Sequence, residues 1–202
     1  YLDEYMPKAR FIGEIIGQLS LALSQVDVIT NQANIYQGAK EWALPILEKK
    51  MDLPKDFVEN YVREFGEIYD SLPQQIIHRD PNPGNLILND DNWGVLDFDL
   101  SERNLRIFDP CYAATAILSE SFEAGNTEKL SKWVSIYKNI IYGYDEVAKL
   151  SDNEWKAIPY VVITNQLIST AWFSEQEKYS ELYEINKKMT EWMLQNFDKL
   201  LF

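Results

Sequence analysis

His78-Arg79-Asp80-Pro81-Asn82-Pro83-Gly84-Asn85, with Asp97-Phe98-Asp99 beginning twelve positions after Asn85, is the stretch that decides how the rest of this chain is read. Around it, short apolar runs alternate with chain breakers. Gln75-Ile76-Ile77 reads as one strand, Leu86-Ile87-Leu88 as a second and Trp93-Gly94-Val95-Leu96 as a third, with Asn89-Asp90-Asp91-Asn92 supplying turn chemistry between the last two. Pro81, Pro83 and Gly84 demand an irregular loop that no helix or central strand tolerates. Asn85 and Asp97 then stand at the open end of one hairpin, and Asp80 sits in the loop leading into it.

Taken singly, each of these residues has an ordinary structural use. An Asp in a Pro-rich turn is more often a cap or a solvated side chain than a catalyst. The combination is what points to chemistry: His-x-Asp-x-x-x-x-Asn, an apolar run, a polar turn, and a second apolar run ending in Asp-Phe-Asp. Phosphoryl transfer needs a group that orients the acceptor hydroxyl and oxygen ligands that hold Mg²⁺ against the phosphates. Asp80 suits the first task. Asn85 and Asp97 suit the second, because Mg²⁺ takes hard oxygen donors and is usually held by one or two carboxylates plus substrate phosphates. His78, the only histidine, follows two isoleucines and is expected to hydrogen-bond backbone within the loop, orienting Asp80. Arg79 is expected to pair with a carboxylate or carry surface charge.

The segment Ile76 to Ala116 resembles the catalytic lobe of the aminoglycoside phosphotransferase and choline kinase family, whose members share the protein-kinase-like fold. The resemblance implies transfer of the γ-phosphate of ATP or GTP to a hydroxyl of a small molecule such as an aminoglycoside, choline or homoserine. It makes Asp80 the catalytic base, Asn85 a Mg²⁺ ligand, and Asp97 the acid bridging Mg²⁺ to the phosphates. Asp99 matches a second acidic position in several branches and joins His78 as a supporting residue. Asp109-Pro110 matches the Asp opening the next helix; read locally, it is an N-cap followed by Pro at the first helical position.

Protein kinases carry a similar loop, and three departures separate this chain from them. Asn82 stands where a serine/threonine kinase places lysine, and Asp99 replaces the glycine of Asp-Phe-Gly. Only Leu100 to Phe108 lie between the metal motif and Asp109-Pro110, too few for an activation segment. A catalytically dead pseudokinase acting as a binding module is the alternative, and the joint presence of Asp80, Asn85 and Asp97 argues against it. A metal-dependent hydrolase would need more His or Asp ligands than one histidine and this asparagine provide.

No Gly-x-Gly-x-x-Gly or Gly-x-x-x-x-Gly-Lys-Ser/Thr occurs, and no strand pattern precedes Gln75. In the resembling family an N-terminal lobe of antiparallel strands supplies the nucleotide-covering loop and a phosphate-binding lysine. With Tyr1 rather than methionine at the start, the expectation is that residues 1–202 are the C-terminal catalytic and substrate-binding lobe, separated from its own N-terminal lobe and inactive alone. The nucleotide-contacting residues are then unknown from this chain.

The chain carries 19 basic and 32 acidic residues, a formal net charge of −13, with 46% hydrophobic and 13% aromatic residues. Nucleic-acid binding relies on Lys and Arg displacing counterions, and no basic stripe exists here. No apolar run approaches the roughly 18 residues of a spanning helix, so no membrane partner is expected. One cysteine, Cys111, cannot form an internal disulfide, which suits a reducing cytoplasm.

The fold class expected is α+β, mainly α-helical. Phe11, Ile12, Ile15, Ile16, Leu19 and Leu23 recur at helical spacing, and Gly13-x-x-x-Gly17 on the same segment predicts close helix packing. Phe57 to Tyr69 repeats the helical pattern, and Pro45 ends or kinks a short helix containing Trp42. Further helices are predicted over Pro110 to Glu123 and Thr127 to Tyr144, from the capping box Ser151-Asp152-Asn153-Glu154 onward, and over Gln176 to Leu200. By the resemblance, acceptor specificity lies between about Ala113 and Phe173, with Tyr112, Glu120, Glu123, Trp155 and Trp172 as candidates whose ordinary use is core or solvated surface.

Overall fold

Helical spacing of apolar residues accounts for most of the secondary structure in the computed structural model, which describes residues 1–28, 30–89 and 92–202. In chain order the helices are α1 (Leu2–Tyr5), α2 (Ala9–Leu23), α3 (Ile35–Gly38), α4 (Leu44–Leu47), α5 (Lys55–Asn60), α6 (Gly66–Tyr69), α7 (Phe108–Ser121), α8 (Thr127–Val147), α9 (Asp152–Ser174), α10 (Ser180–Gln195) and α11 (Phe197–Leu200). Four short strands complete it: β1 (Gln74–Ile77), β2 (Leu86–Asn89), β3 (Asn92–Val95) and β4 (Glu102–Leu105). The α+β, mainly helical class is the one the sequence predicts. None of the described helices is long and apolar enough to cross a membrane. The described residues divide into two compact units, Tyr1–Ala33 with Pro73–Asp152, and Asn34–Leu72 with Asn153–Phe202.

In the first unit, α2 buries Ile12, Ile15, Ile16 and Leu19 and crosses α8 at close range. The glycines make that crossing possible. A Cβ on Gly13 would lie 2.0 Å from the carbonyl oxygen of Ile140, and one on Gly143 of α8 would lie 2.0 Å from that of Arg10. The Gly13 and Gly17 spacing is therefore a helix-packing face, as predicted. Asn126 caps α8 by accepting from the Lys129 N–H (3.1 Å), and the preceding Gly125 takes φ +81°, a conformation that glycine adopts freely. Gln75 in β1 donates to the Ser20 carbonyl (2.7 Å) and so ties the strand to α2.

The strands pair in an order the sequence does not reveal. β2 and β3 form the predicted antiparallel hairpin, with Leu86 opposite Val95 and Asn89 opposite Asn92. The Asp90-Asp91 centre of its turn lies outside the described residues. β1 instead pairs antiparallel with β4, Gln74 opposite Leu105 and Ile77 opposite Glu102. Glu102-Arg103-Asn104-Leu105 has neither alternation nor β-branched residues, so only its pairing marks it as a strand. Before β1, the one strand-like contact among described residues is an isolated bridge from Gln32 to Arg103.

The second unit is helical. Wide π-type turns at Ala39–Ala43 and Tyr61–Phe65 join α3 to α4 and α5 to α6 into two longer helical runs. The first bears on the reading that Pro45 ends or kinks the helix: the proline does not end it. The helix continues through the proline, because the widened turn before it relieves the clash and the missing N–H that would otherwise end the segment. Tyr61, Phe65 and Tyr69 are buried in an aromatic cluster with Tyr160 of α9, and the Tyr61 hydroxyl bonds Thr164 (2.7 Å). Helix α9 starts where the capping box requires, with Ser151 at the cap position and Glu154 in the first turn. The last predicted helix is in fact broken. Asn196 leaves helical geometry (φ −123°, ψ +31°) and separates α10 from α11.

Candidate active site

Buried Asp109 organises the loop that follows β1. Its Oδ2 accepts the His78 N–H (2.9 Å) and its Oδ1 the Arg79 N–H (2.8 Å), so one carboxylate holds two consecutive backbone amides. The sequence reading made Asp109 an N-cap. The structure corrects this: Ile107 occupies the cap position and Asp109 lies inside the first turn of α7, its oxygens turned to the loop rather than to its own helix. Arg79 takes φ +74°, a conformation costly for a side-chain-bearing residue, and is held there by Asp109 and by its ion pair with Glu102 (3.0 Å).

His78 is fully buried and joins the two motifs. Its Nδ1 accepts the Asp80 N–H (3.2 Å), which puts the proton on Nε2, and Nε2 donates to the Leu96 carbonyl (2.8 Å). The ring also meets Phe98 edge-on at 4.6 Å between centroids. The histidine thus grips the residues on either side of Asp97. Asp97 is exposed and takes φ +63°, the second non-glycine residue at the site with positive φ. Its Oδ1 is approached by the Asp99 N–H at 3.4 Å.

Asp80 is the centre of the side-chain network. Asn82 donates from Nδ2 to its Oδ1 (2.9 Å), and Asn85 donates from Nδ2 to its carbonyl (2.9 Å) and to Oδ2 (3.3 Å). Asn85 spends its amide hydrogens on Asp80, which leaves the amide oxygen as the atom it could offer to a cation. The Leu96 N–H donates to the Asn85 carbonyl (2.9 Å), setting Asn85 beside the strand end that leads into Asp97. The Tyr112 hydroxyl on α7 is pushed up to about 12 by burial first and then by the neighbouring Asp80 carboxylate.

One hydrogen-bonded frame therefore brings Asp80, Asn85, His78 and the backbone around Asp97 together, with Asp99 exposed two residues on. Asn82 and Asp109 are the residues whose part sequence reasoning missed. Asn82 served there only to distinguish the loop from that of a protein kinase, and an Asp before Pro at a helix start looks like a cap. Of the acceptor candidates, Tyr112 lies near Asp80, Glu120 takes a hydrogen bond from Tyr1, and Glu123 is an exposed partner of Lys129 (2.8 Å). In the second unit Trp155 packs against Phe202 at 5.0 Å and Trp172 against Phe173 at 5.0 Å.

The donor chemistry fits a hard divalent cation. Asp97, Asp99 and the Asn85 amide can offer oxygen atoms, while among the described residues no group of three or more His, Cys, Asp or Glu could hold a metal ion by itself. Such a set suits Mg²⁺, which keeps water and ligand oxygens in its shell.

Burial raises Asp109 from 3.8 to about 6, against the opposing pull of the two amides. Between about pH 4 and 6 the folded chain keeps a proton that the unfolded chain has lost, so this group's stabilising contribution is present at low pH and fades as pH rises through about 6. The loop responds in the opposite sense. Protonation makes the carboxyl a weaker acceptor for the two amides, so its grip on the loop weakens as pH falls. Activity of the intact protein is expected to drop below about pH 6 while its melting temperature does not fall on account of Asp109. Asp109→Asn should remove that acid limb; a pH–rate profile of unchanged shape in the variant would assign the limb elsewhere.

A strained, polar loop at a strand end, an oxygen-donor set on the adjoining hairpin and a mainly helical chain are features of a kinase-like fold. The sequence profile of the phosphotransferase enzyme family matches residues 9–134, more than half of the chain, and the chain belongs to that family. No curated protein sequence matches it. Among solved structures, the choline/ethanolamine kinase family protein from Mesorhizobium loti is similar with a TM-score of 0.64 and 13% identity, over 99% of this chain and 68% of that one. The amicoumacin kinase hAmiN, solved with AMP-PNP, Ca²⁺ and Ami, is similar with a TM-score of 0.59 and 15% identity, over 91% of this chain and 58% of that one. The chain thus spans well under the full length of these neighbours, and at such identities the likeness concerns the fold.

Proposed function

We propose that the intact protein is a small-molecule kinase that moves the γ-phosphate of ATP or GTP to a hydroxyl of its acceptor, with Asp80 as the base. The observation that carries this reading is the pair of amides on Asp80. Asn82 and Asn85 each donate to it, so its carboxylate is aimed and cannot rotate freely. A carboxylate so held accepts a hydrogen bond from the acceptor hydroxyl and takes the proton late, as the oxygen–phosphorus bond forms and the bond to the leaving diphosphate breaks. Mg²⁺ held by Asn85 and Asp97 would neutralise phosphate charge. His78 keeps the two ligand-bearing segments in register, and Asp99 supports Asp97.

The same reading makes residues 1–202 the catalytic and acceptor-binding lobe, with a nucleotide-binding lobe elsewhere in the intact protein. Two observations support it. No glycine-rich phosphate loop occurs in the sequence, and Ile87, Leu96, Phe98 and Leu100 beside the motif are each 44–50% exposed, an apolar surface that a nucleotide base and a covering lobe would bury. The 202-residue fragment alone is expected to catalyse nothing measurable.

The test is a phosphorylation screen of the full-length protein against aminoglycosides, choline, homoserine and sugar alcohols in Mg²⁺-ATP and Mg²⁺-GTP. Alongside it, Asp97→Ala is expected to abolish Mg²⁺-dependent nucleotide binding by calorimetry. Nucleotide binding with no phosphate transfer to any acceptor would favour the pseudokinase alternative, and unchanged Mg²⁺ dependence in Asp97→Ala would remove Asp97 from the metal site.

A further inference from the structure

The second unit carries an open pocket of about 480 Å³, within the usual size of small-molecule sites. The α5–α6 run, the start of α9 and the residues after α11 supply its walls, all of them within that unit. Its floor is aromatic. Trp155 and Phe202 meet at 5.0 Å between centroids with 57° between their planes, and Tyr160, only 8% exposed, is stacked on buried Phe65 at 5.6 Å. Rings held in this way give a flat apolar guest offset and edge-on contacts worth more than the area they bury.

Three charged side chains line the same pocket, and they differ in what they already hold. Glu64 is spent: the Tyr160 hydroxyl donates to its Oε2, and Arg63 pairs with its Oε1 (3.0 Å). Glu67 and Lys156 hold no partner among the described residues, and although both line the pocket they do not pair with each other. The pocket therefore offers one free carboxylate, one free ammonium and an aromatic floor. A guest with a single charge satisfies one of the two free groups and sets its charge against the like charge of the other. The complement of all three features is a molecule with an ammonium, a carboxylate and a large flat apolar group. An α-amino acid with an aromatic side chain has that constitution.

We infer that this pocket binds a free aromatic α-amino acid, its ammonium on Glu67, its carboxylate on Lys156 and its ring against Trp155, Tyr160 and Phe202. Asp80, Asn85 and Asp97 belong to the first unit, so the inference stands apart from the phosphotransfer reading. The experiment titrates L-phenylalanine into the full-length protein by saturation-transfer NMR. Phenethylamine, 3-phenylpropionate and glycine serve as guests that lack the carboxylate, the ammonium and the ring. Expected is saturable binding of L-phenylalanine in the millimolar range, tighter than that of any of these guests. Glu67 and Lys156 are exposed, so Glu67→Gln and Lys156→Met leave the fold intact. Glu67→Gln should weaken L-phenylalanine and phenethylamine by about two- to fivefold, the range for an exposed ion pair, and spare 3-phenylpropionate. Lys156→Met should weaken L-phenylalanine and 3-phenylpropionate and spare phenethylamine. No saturable binding of L-phenylalanine, or binding unchanged in either variant, would overturn the site. A singly charged guest that binds as tightly as L-phenylalanine would overturn the amino acid as its ligand.

Discussion

Asp80→Asn in the intact protein is expected to lower turnover by about 10²–10⁴-fold, the range for loss of a positioned general base, while nucleotide affinity changes little. The separation follows from the geometry. Asn is isosteric with Asp and leaves the acceptor's place open, yet its amide brings hydrogens where Asn82 and Asn85 already donate. The substituted side chain must turn its oxygen to one of them and face the other with an N–H, and it has no basic oxygen left for the acceptor proton. The proposed metal ligands Asn85 and Asp97 are untouched, so Mg²⁺-nucleotide binding persists. Steady-state kinetics with calorimetric nucleotide titration reads both quantities, and near-wild-type turnover would remove Asp80 from the role of base.

Gly143→Ala is expected to destabilise the fold strongly, as is Gly13→Ala on the facing helix. The new Cβ would stand 2.0 Å from the Arg10 carbonyl oxygen, and backbone cannot rotate away as a flexible side chain can. Helix α2 must shift off α8, loosening Ile12, Ile15 and Ile16 at once. Overpacking of this kind costs about 1–3 kcal/mol or more, which for a chain of this size lowers Tm by roughly 2–12 °C. Gly13→Ala meets the Ile140 carbonyl oxygen at the same 2.0 Å. Because one displacement of α2 relieves both clashes, the double substitution should cost clearly less than the sum of the two. Gly38→Ala is the control: nothing lies within 4 Å of its added Cβ in a helical stretch, and a gain of up to about 1 kcal/mol is expected there. Thermal melts of the wild type and the four variants decide the matter; a Gly143→Ala variant as stable as wild type would show that the crossing is not as tight as described.

Short-range chemistry was legible along most of the chain. Apolar periodicity located α2, α8 and α9, a Gly-x-x-x-Gly pair announced a close crossing, and an Asn-rich turn between apolar runs announced the β2–β3 hairpin. Each of those signals depends on residues a few positions apart, where backbone geometry fixes which side chains share a face. The β1–β4 pairing escaped because Glu102 to Leu105 become a strand only through partners 25 to 31 residues earlier, so their own pattern carries no mark of it. Pro45 left an end or a kink open for a related reason: its local meaning covers both, and the π-type turn just before it is what lets the helix run on.

The site divides along the same line. Sequence by itself determined which residues hold the oxygen and nitrogen atoms of the motif and that they flank one hairpin, because Asp80, Asn85, Asp97 and Asp99 fall at loop and strand-end positions that local chemistry defines. Tertiary structure alone decided how those atoms are held. Asp109, about 30 residues from the loop, supplies both acceptors for its strained backbone; His78 selects one tautomer by bridging Asp80 to Leu96; and Asn82 turns out to aim the Asp80 carboxylate. Buried polar groups must find partners wherever the fold brings them, and a partner's identity is set by packing across the chain rather than by spacing along it.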